Sequence, residues 1–206
     1  MSWQHPTGQI PTRVTLVGNG VTHQDYIAEC LGHNTPDTVH GRDETWVINR
    51  GGLALAHDLL WVMDHVGGEE ARWPRYGENL RRHNRPIITS DDLDGWPAHV
   101  HAYPLEPVRA HFGPAHDYYH NSVAYILAYA CWLGVRELTM WGCDYHYDGN
   151  PAREPDRANA EYWVGVCRER GMAVAVPQTT TLLNANRQPW FYGYRRQPGR
   201  HPLLVG

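Results

Sequence analysis

The densest polar stretch of the chain is Asp144-Tyr145-His146-Tyr147-Asp148, which follows the apolar run ELTMW and a glycine. Alternate side chains of an extended segment share a face, which would turn Asp144, His146 and Asp148 the same way. Two chemistries suit such a set. Asp144 and Asp148 fit Mg²⁺, with waters and phosphate oxygens filling its shell. His146 fits a general base whose basicity either carboxylate would raise. Tyr119 and His120 close a second group, His116-Asp117-Tyr118-Tyr119-His120, suited to holding a phosphate leaving group or exchanging a proton with it. Asn121 and Ser122 then open the apolar run VAYILAYACWL. Ser122 there either binds phosphate, together with the free N–H groups of a helix start, or caps the helix. Near the amino end, Gly18-Asn19-Gly20 follows an apolar run. It reads either as a turn whose backbone N–H groups approach an anion or as an ordinary tight turn. Its lack of a third glycine argues against the dinucleotide fingerprint.

Other residues narrow the field by what they cannot do. All 18 basic residues are Arg, which removes lysine Schiff-base chemistry and the lysine-bearing phosphate loop. No Gly-x-Ser-x-Gly elbow occurs. Cys30, Cys131, Cys143 and Cys167 lie far apart, as scattered reduced thiols rather than a zinc knuckle or disulfide framework. Cys131, inside the apolar run, reads as core. Asp64 directly follows LLWVM and is better placed for a site than Asp58, whereas Asp91 and Asp92 read as caps for the segment from Leu93 onward.

These residues need a scaffold, and the hydrophobic pattern supplies one. Strands are expected at 13–17, 45–49, 59–63, 86–89, 99–103, 137–141 and 172–176. Helices are expected at 25–31 with Thr22 as cap, at 123–133 closed by Gly134, and at 156–170 stopped by Gly171. Segment 68–81 is helix or loop, interrupted by Pro74. Short apolar strands alternating with helices predict a single α/β domain, a Rossmann-like mostly parallel sheet with helices on both faces. Asn19, Asn49, Asp64, Ser90 and Asp144 each follow a strand, at the carboxyl edge where open α/β sheets bind ligands.

Residues 1–186 read as the nucleotide-binding domain and 187–206 as a basic aromatic extension, with Arg187, Arg195 and Arg196 among Trp190, Phe191, Tyr192 and Tyr194. Such a mixture can stack on bases and track phosphates, so a nucleic-acid acceptor is one expectation; a lid over a nucleotide and a wrap around another subunit are others. A formal charge of −4 argues against a uniformly basic nucleic-acid module. No window approaches a membrane-spanning length, and a cytoplasmic protein is expected. The sequence leaves a homo-oligomer open.

The ordered segments VTLVGNG, WVINRGG, LLWVMD, PIITS, NSVAYILAYACWLGVRELTMWGCDYHYDG and AVAVPQTTTLLN resemble two related groups. One is the bacterial CMP-sialic-acid-dependent sialyltransferases. The other is the 6-hydroxymethylpterin diphosphokinase-like proteins that also occur in bacterial viruses. The resemblance spans about residues 14–184. It implies nucleotide contacts for Gly18, Asn19, Gly20 and Asn49, donor-phosphate contacts for Ser122 and for Tyr118 or Tyr119, and a glycine-x-aspartate at Gly142 and Asp144. It also implies a segment against the nucleotide at Pro177, Thr180, Leu182 and Leu183. Asp64 stands where the sialyltransferases carry an asparagine, and the stretch NPAREPDRANAEYW lacks their histidine base, with a shortened lid.

The expectation is therefore a glycosyltransferase-like enzyme using a CMP-, CDP- or UDP-linked sugar. Asn49 and Ser90 would reach the base or ribose. Ser122 and Tyr119, with Mg²⁺ as an optional companion, would stabilise the departing phosphate, and His146 or Asp144 would take the acceptor's proton. The alternatives are an ATP-dependent pyrophosphokinase acting on a small alcohol such as hydroxymethylpterin, with metal at Asp64, Asp144 or Asp148, and a viral nucleotide-binding protein without catalysis.

Overall fold

The structure, a computed structural model, describes residues 3–31, 43–145 and 154–184. Expectations resting on His146, on Asp148 and on Arg187, Arg195, Arg196 and the rest of the 187–206 extension lie outside the described residues.

Seven strands form one sheet: β1 (Arg13–Val17), β2 (Glu44–Ile48), β3 (Leu59–Val62), β4 (Ile87–Thr89), β5 (Val100–Ala102), β6 (Glu137–Trp141) and β7 (Ala173–Ala175). Their order is β5-β4-β3-β2-β1-β6-β7, and every pairing is parallel, where the sequence predicted a mostly parallel sheet. Register sets the site: Val17 pairs with Val47 on one side and Trp141 on the other, so β1, β2 and β6 release their loops at nearly one level.

Both sheet faces are covered, which explains why these strands lack polar alternation. Leu16, Trp46, Ile48, Leu59 and Trp61 turn to one face, against α5 (Ser122–Leu133), α6 (Glu154–Glu169) and α4 (Leu105–Phe112). Leu60, Val62, Ile87 and Val100 turn to the other, beneath Val66 of α2 (Val66–Arg72) and Tyr76 and Leu80 of α3 (Tyr76–Arg81). On that face too, Tyr26 of α1 (His23–Tyr26) packs on Val17, Val47 and Trp141. Trp46, Trp61 and Trp163 are fully enclosed. Each such burial stabilises the fold by roughly 1.5–3 kcal/mol or more.

Several elements depart from expectation. Segment 25–31 is one α-turn followed by a π turn, Ile27–Leu31. Thr22 makes no capping bond with its side chain; its hydroxyl bonds instead to Asp144 and Gly142. Pro74 separates α2 from α3. Asp91 does not cap Leu93: it accepts the Val66 N–H at 2.9 Å and so ties down the start of α2.

At the amino ends of the strands, Glu44 is buried among His5, Trp46 and Thr7. The Trp46 indole donates to its carboxylate at 2.6 Å, and a His5 ring nitrogen lies 3.0 Å away. Burial pushes the Glu44 carboxyl up, but the hydrogen bonds from His5, Thr7 and Trp46 outweigh it and hold the group below its ordinary range. The same histidine reaches the Tyr129 hydroxyl at 2.7 Å, fastening the amino-terminal arm to α5.

Candidate functional site

Chain direction across the sheet reverses at β1. The strands β2 to β5 extend to one side and β6 and β7 to the other, which opens a crevice at the carboxyl ends of β1 and β6. Here two glycines bring backbone against backbone. A methyl on Gly18 would stand 2.3 Å from the Gly142 carbonyl oxygen, and one on Gly142 would stand 2.4 Å from that of Gly18. Gly142 also holds φ at +63°, in the left-handed region that favours glycine. The Gly20 N–H donates to the Gly142 carbonyl at 2.7 Å.

Asp144 secures this junction. One carboxylate oxygen accepts both the N–H and the hydroxyl of Thr22, at 2.7 and 2.8 Å. The Thr22 hydroxyl in turn accepts the Gly142 N–H at 2.7 Å. The other oxygen of Asp144 is buried without a hydrogen-bond partner.

The start of α5 forms the opposite wall. Asn121 is its cap: its side-chain carbonyl accepts the Ala124 N–H at 3.1 Å. That frees the Ser122 hydroxyl from capping and leaves the N–H groups of Ser122 and Val123, at the very start of the helix, without an intrahelical acceptor. Fully buried Asn159 of α6 orders the approach to the helix, accepting the His120 N–H and donating to the Tyr118 carbonyl, each at 2.8 Å. The Tyr145 hydroxyl donates to the Asn121 side chain at 3.3 Å.

The third wall comes from β2 and β3. Asn49, at φ +51°, donates its side-chain N–H to Asp64, while its own carbonyl oxygen is buried and unpartnered. Asn19 donates to the Ile48 carbonyl at 3.4 Å. Between the walls lies a cavity of about 320 Å³, lined by Gly18, Asn19, Asn49, Asp64, His120, Ser122, Gly142 and Asp144 together with Ile48, Asn121, Val123, Cys143, Tyr145 and Asp156.

Four of the five polar residues expected at the strand ends thus share one hollow: Asn19, Asn49, Asp64 and Asp144. Ser90 lies off it, donating to the Met63 carbonyl at 2.9 Å. Thr180 is buried away from the lining, where its hydroxyl oxygen accepts the Leu182 N–H at 3.2 Å. Tyr119 is stacked on Tyr125 with ring centres 4.9 Å apart, its hydroxyl buried and unpartnered. Burial pushes that phenol up, away from any proton exchange near neutrality. Gly20 sits behind the lining, where a methyl would meet the Asp144 carboxylate at 2.7 Å. Among the described residues, no three His, Cys, Asp or Glu side chains are placed to hold a metal ion.

Sequence reasoning did not single out Thr22 as a partner of Asp144, nor Asn159 or Cys143. The Cys143 thiol lines the cavity, but burial pushes it up and leaves it a poor nucleophile. The asparagine in front of a long apolar run was itself the signal for the α5 cap.

Among solved structures, the chain is similar to the sialyltransferase CstII from Campylobacter jejuni in complex with the substrate analogue CMP-3FNeuAc, at 15% identity and a TM-score of 0.55 over 84% of this chain and 83% of that one. It is similar to the same enzyme in complex with cytidine-5′-monophosphate, at 14% identity and a TM-score of 0.54 over 84% and 83%. An α-2,3-sialyltransferase of that organism in apo form aligns at 12% identity and a TM-score of 0.50 over 84% and 78%. No model of a known protein family matches the chain, and no curated protein matches it. At these identities the likeness is one of fold: a single α/β domain with a seven-stranded parallel sheet, the Rossmann-like architecture of those glycosyltransferases.

Proposed function

We propose that the chain transfers a sugar from a nucleotide-activated donor, of cytidine or uridine type, to a hydroxyl acceptor. The observation that carries this reading is the shared cavity between the glycine junction of β1 and β6 and Ser122, whose hydroxyl takes no part in capping the start of α5. A helix start with free N–H groups and a spare hydroxyl suits a phosphate, and it suits one that gains negative charge as a bond breaks. The structural neighbours, solved in complex with cytidine-5′-monophosphate and with the analogue CMP-3FNeuAc, support the nucleotide type.

In this reading the acceptor oxygen attacks the anomeric carbon, the bond from that carbon to the donor phosphate breaks, and its electron pair leaves on the phosphate oxygen. Ser122 and the first-turn N–H groups of α5 receive that charge. His120, on the cavity wall, takes the acceptor's proton. The sequence alone had offered His146 or Asp144 for that task. Asp144 contributes chiefly by holding Thr22 and the glycine junction. A nucleic-acid acceptor for the arginine-rich extension, and self-association, remain proposals from the sequence.

Calorimetry against CMP, CDP, UDP and ADP and their sugars, with and without Mg²⁺, followed by an assay for release of free nucleotide, tests the reading. Preference for a cytidine or uridine donor with turnover supports it. Strict ATP and Mg²⁺ dependence favours pyrophosphate transfer instead. Tight binding without turnover makes the chain a nucleotide-binding protein, and no nucleotide binding refutes all three.

A further inference from the structure

Two cysteines that the sequence keeps far apart are brought together by the fold. Cys131 stands in the last turn of α5 and Cys167 in the last turn of α6. The two helices run side by side in the same direction. The Asn121 amide, in front of α5, donates to the Asn159 side chain at 3.3 Å, and about two turns further on the Cys167 thiol donates to the Leu127 carbonyl at 3.4 Å. That carbonyl is the α-helical acceptor of the Cys131 N–H, so the Cys167 sulfur lies against the turn that carries Cys131. The two side chains also hydrogen-bond each other.

Their surroundings differ. Cys167 is fully buried in the core, whereas Cys131 is partly exposed at its edge. Arg170, one turn beyond Cys167, holds its guanidinium over the Phe112 ring at 4.9 Å. The hydrogen bond from Cys167 holds the Cys131 thiol below its ordinary range; burial opposes this and the charge of Arg170 assists it. The hydrogen bond to Cys131, with burial, pushes the Cys167 thiol up. An accessible thiolate beside an enclosed neutral thiol is the arrangement of an attacking and a resolving cysteine.

We propose that Cys131 and Cys167 are an oxidation site, at which hydrogen peroxide converts the two thiols into a disulfide joining α5 to α6. The Cys131 thiolate attacks one oxygen of the peroxide, the O–O bond breaks, hydroxide leaves, and Cys131 becomes a sulfenic acid. The Cys167 sulfur then attacks the sulfenic sulfur, the S–OH bond breaks, and its hydroxyl departs with the Cys167 proton as water. The hydroxide takes up the proton that Cys131 gave up on ionising. Two thiols are oxidised by two electrons, one peroxide is reduced, and the products are one disulfide and two waters. The site lies at the opposite end of α5 from Ser122, so it goes beyond the function proposed above and does not depend on it.

The test treats the full chain with a small excess of hydrogen peroxide, blocks the remaining thiols by alkylation, cleaves after arginine and reads the peptides by mass spectrometry without reduction. Cleavage puts Cys131 on 110–136 and Cys167 on 158–168, apart from Cys30 and Cys143. These two peptides should appear joined, lighter by two hydrogens than their sum and separated by dithiothreitol. Buried Cys143 should remain a thiol. Cys167→Ser should abolish the bridge and leave a Cys131 sulfenic acid that dimedone captures, whereas Cys131→Ser should abolish both bridge and capture. Circular dichroism checks that each variant is folded, and the bridge itself is decided on the unaltered chain. No bridge in the treated native chain overturns the proposal, as does bridging of Cys30 or Cys143 to the same extent. The preference for this pair should vanish in concentrated urea, and its survival there overturns its origin in the fold. Dimedone capture at Cys167 overturns the assignment of Cys131 as the attacking thiol.

Discussion

The close approach of Gly18 and Gly142 yields the sharpest test of how the site is built, because three alanine substitutions separate two costs. Gly18→Ala adds a methyl 2.3 Å from a backbone oxygen but at an ordinary φ, so it incurs the contact alone. Gly134→Ala, at the end of α5, has φ +88° and meets nothing within 4 Å, so it incurs the left-handed strain alone. Gly142→Ala incurs both, at φ +63° with its methyl 2.4 Å from the Gly18 oxygen. Overpacking costs about 1–3 kcal/mol and a left-handed non-glycine residue about 1–2 kcal/mol. In a chain of this size each kcal/mol lowers Tm by about 2–4 °C. Taking about 1.5 kcal/mol for the strain and about 2 for the contact, Gly134→Ala should lose roughly 3–6 °C and Gly142→Ala roughly 7–14 °C. Gly18→Ala should fall between them, and differential scanning fluorimetry reads all three. Backbone cannot rotate out of the way as a side chain can, so the contact must be relieved by parting β1 from β6. Nucleotide affinity should therefore weaken in Gly18→Ala and Gly142→Ala but not in Gly134→Ala. Equal thermal losses in Gly142→Ala and Gly134→Ala would refute the close-approach argument.

The α5 start allows stability and binding to be uncoupled: Asn121→Ala should lose about 0.5–2 kcal/mol of stability, whereas Ser122→Ala should stay within about 0.5 kcal/mol yet weaken CMP binding, both read by chemical unfolding and calorimetry. Asp144→Ala leaves the Thr22 N–H and hydroxyl without their acceptor and should cost about 1–3 kcal/mol in urea unfolding. For Glu44, the depressed folded value means its stabilising contribution is complete above the unfolded value of about 4.3 and disappears as pH falls through the lower folded value. Glu44→Gln should therefore be less stable at pH 7 and show a flatter slope of stability against pH in the acid range. Burial pushes the His57 imidazole down, so the unfolded chain takes up its proton first and stability falls as pH drops below about 6.5. His57→Leu should flatten that slope without abolishing it, since burial pushes His101 and His111 down as well, and the window is distinct from that of Glu44.

Which parts of this architecture could be read from the chain depends on the range of the interactions involved. Strand β6 and helix α5 were plain because burial, of the strand between two covered faces and of the helix against one of them, keeps LTMW and VAYILAYACWL largely apolar over their own length. Helix α4 had no counterpart among the expected elements; Pro107 is its third residue, in the first turn, where a missing N–H costs nothing. The polar residues after the strands were legible because strand ends, once located, must open onto a common edge. Ser90 shared that sequence context but turned to the Met63 carbonyl, a choice set by the neighbouring strand's loop rather than by local pattern. The role of Asp144 was the least accessible. Its chemistry as a metal ligand or base was read from neighbours two and four positions away, whereas its hydrogen bonds go to Thr22, 122 positions earlier. Only the parallel pairing of β1 with β6 brings those two residues together, and a carboxylate already accepting two donors on one oxygen is better suited to holding a loop than to moving a proton. Topology therefore reassigns a residue whose type alone suggested catalysis, and under the proposed function the acceptor's proton passes instead to His120, on the cavity wall at the approach to α5.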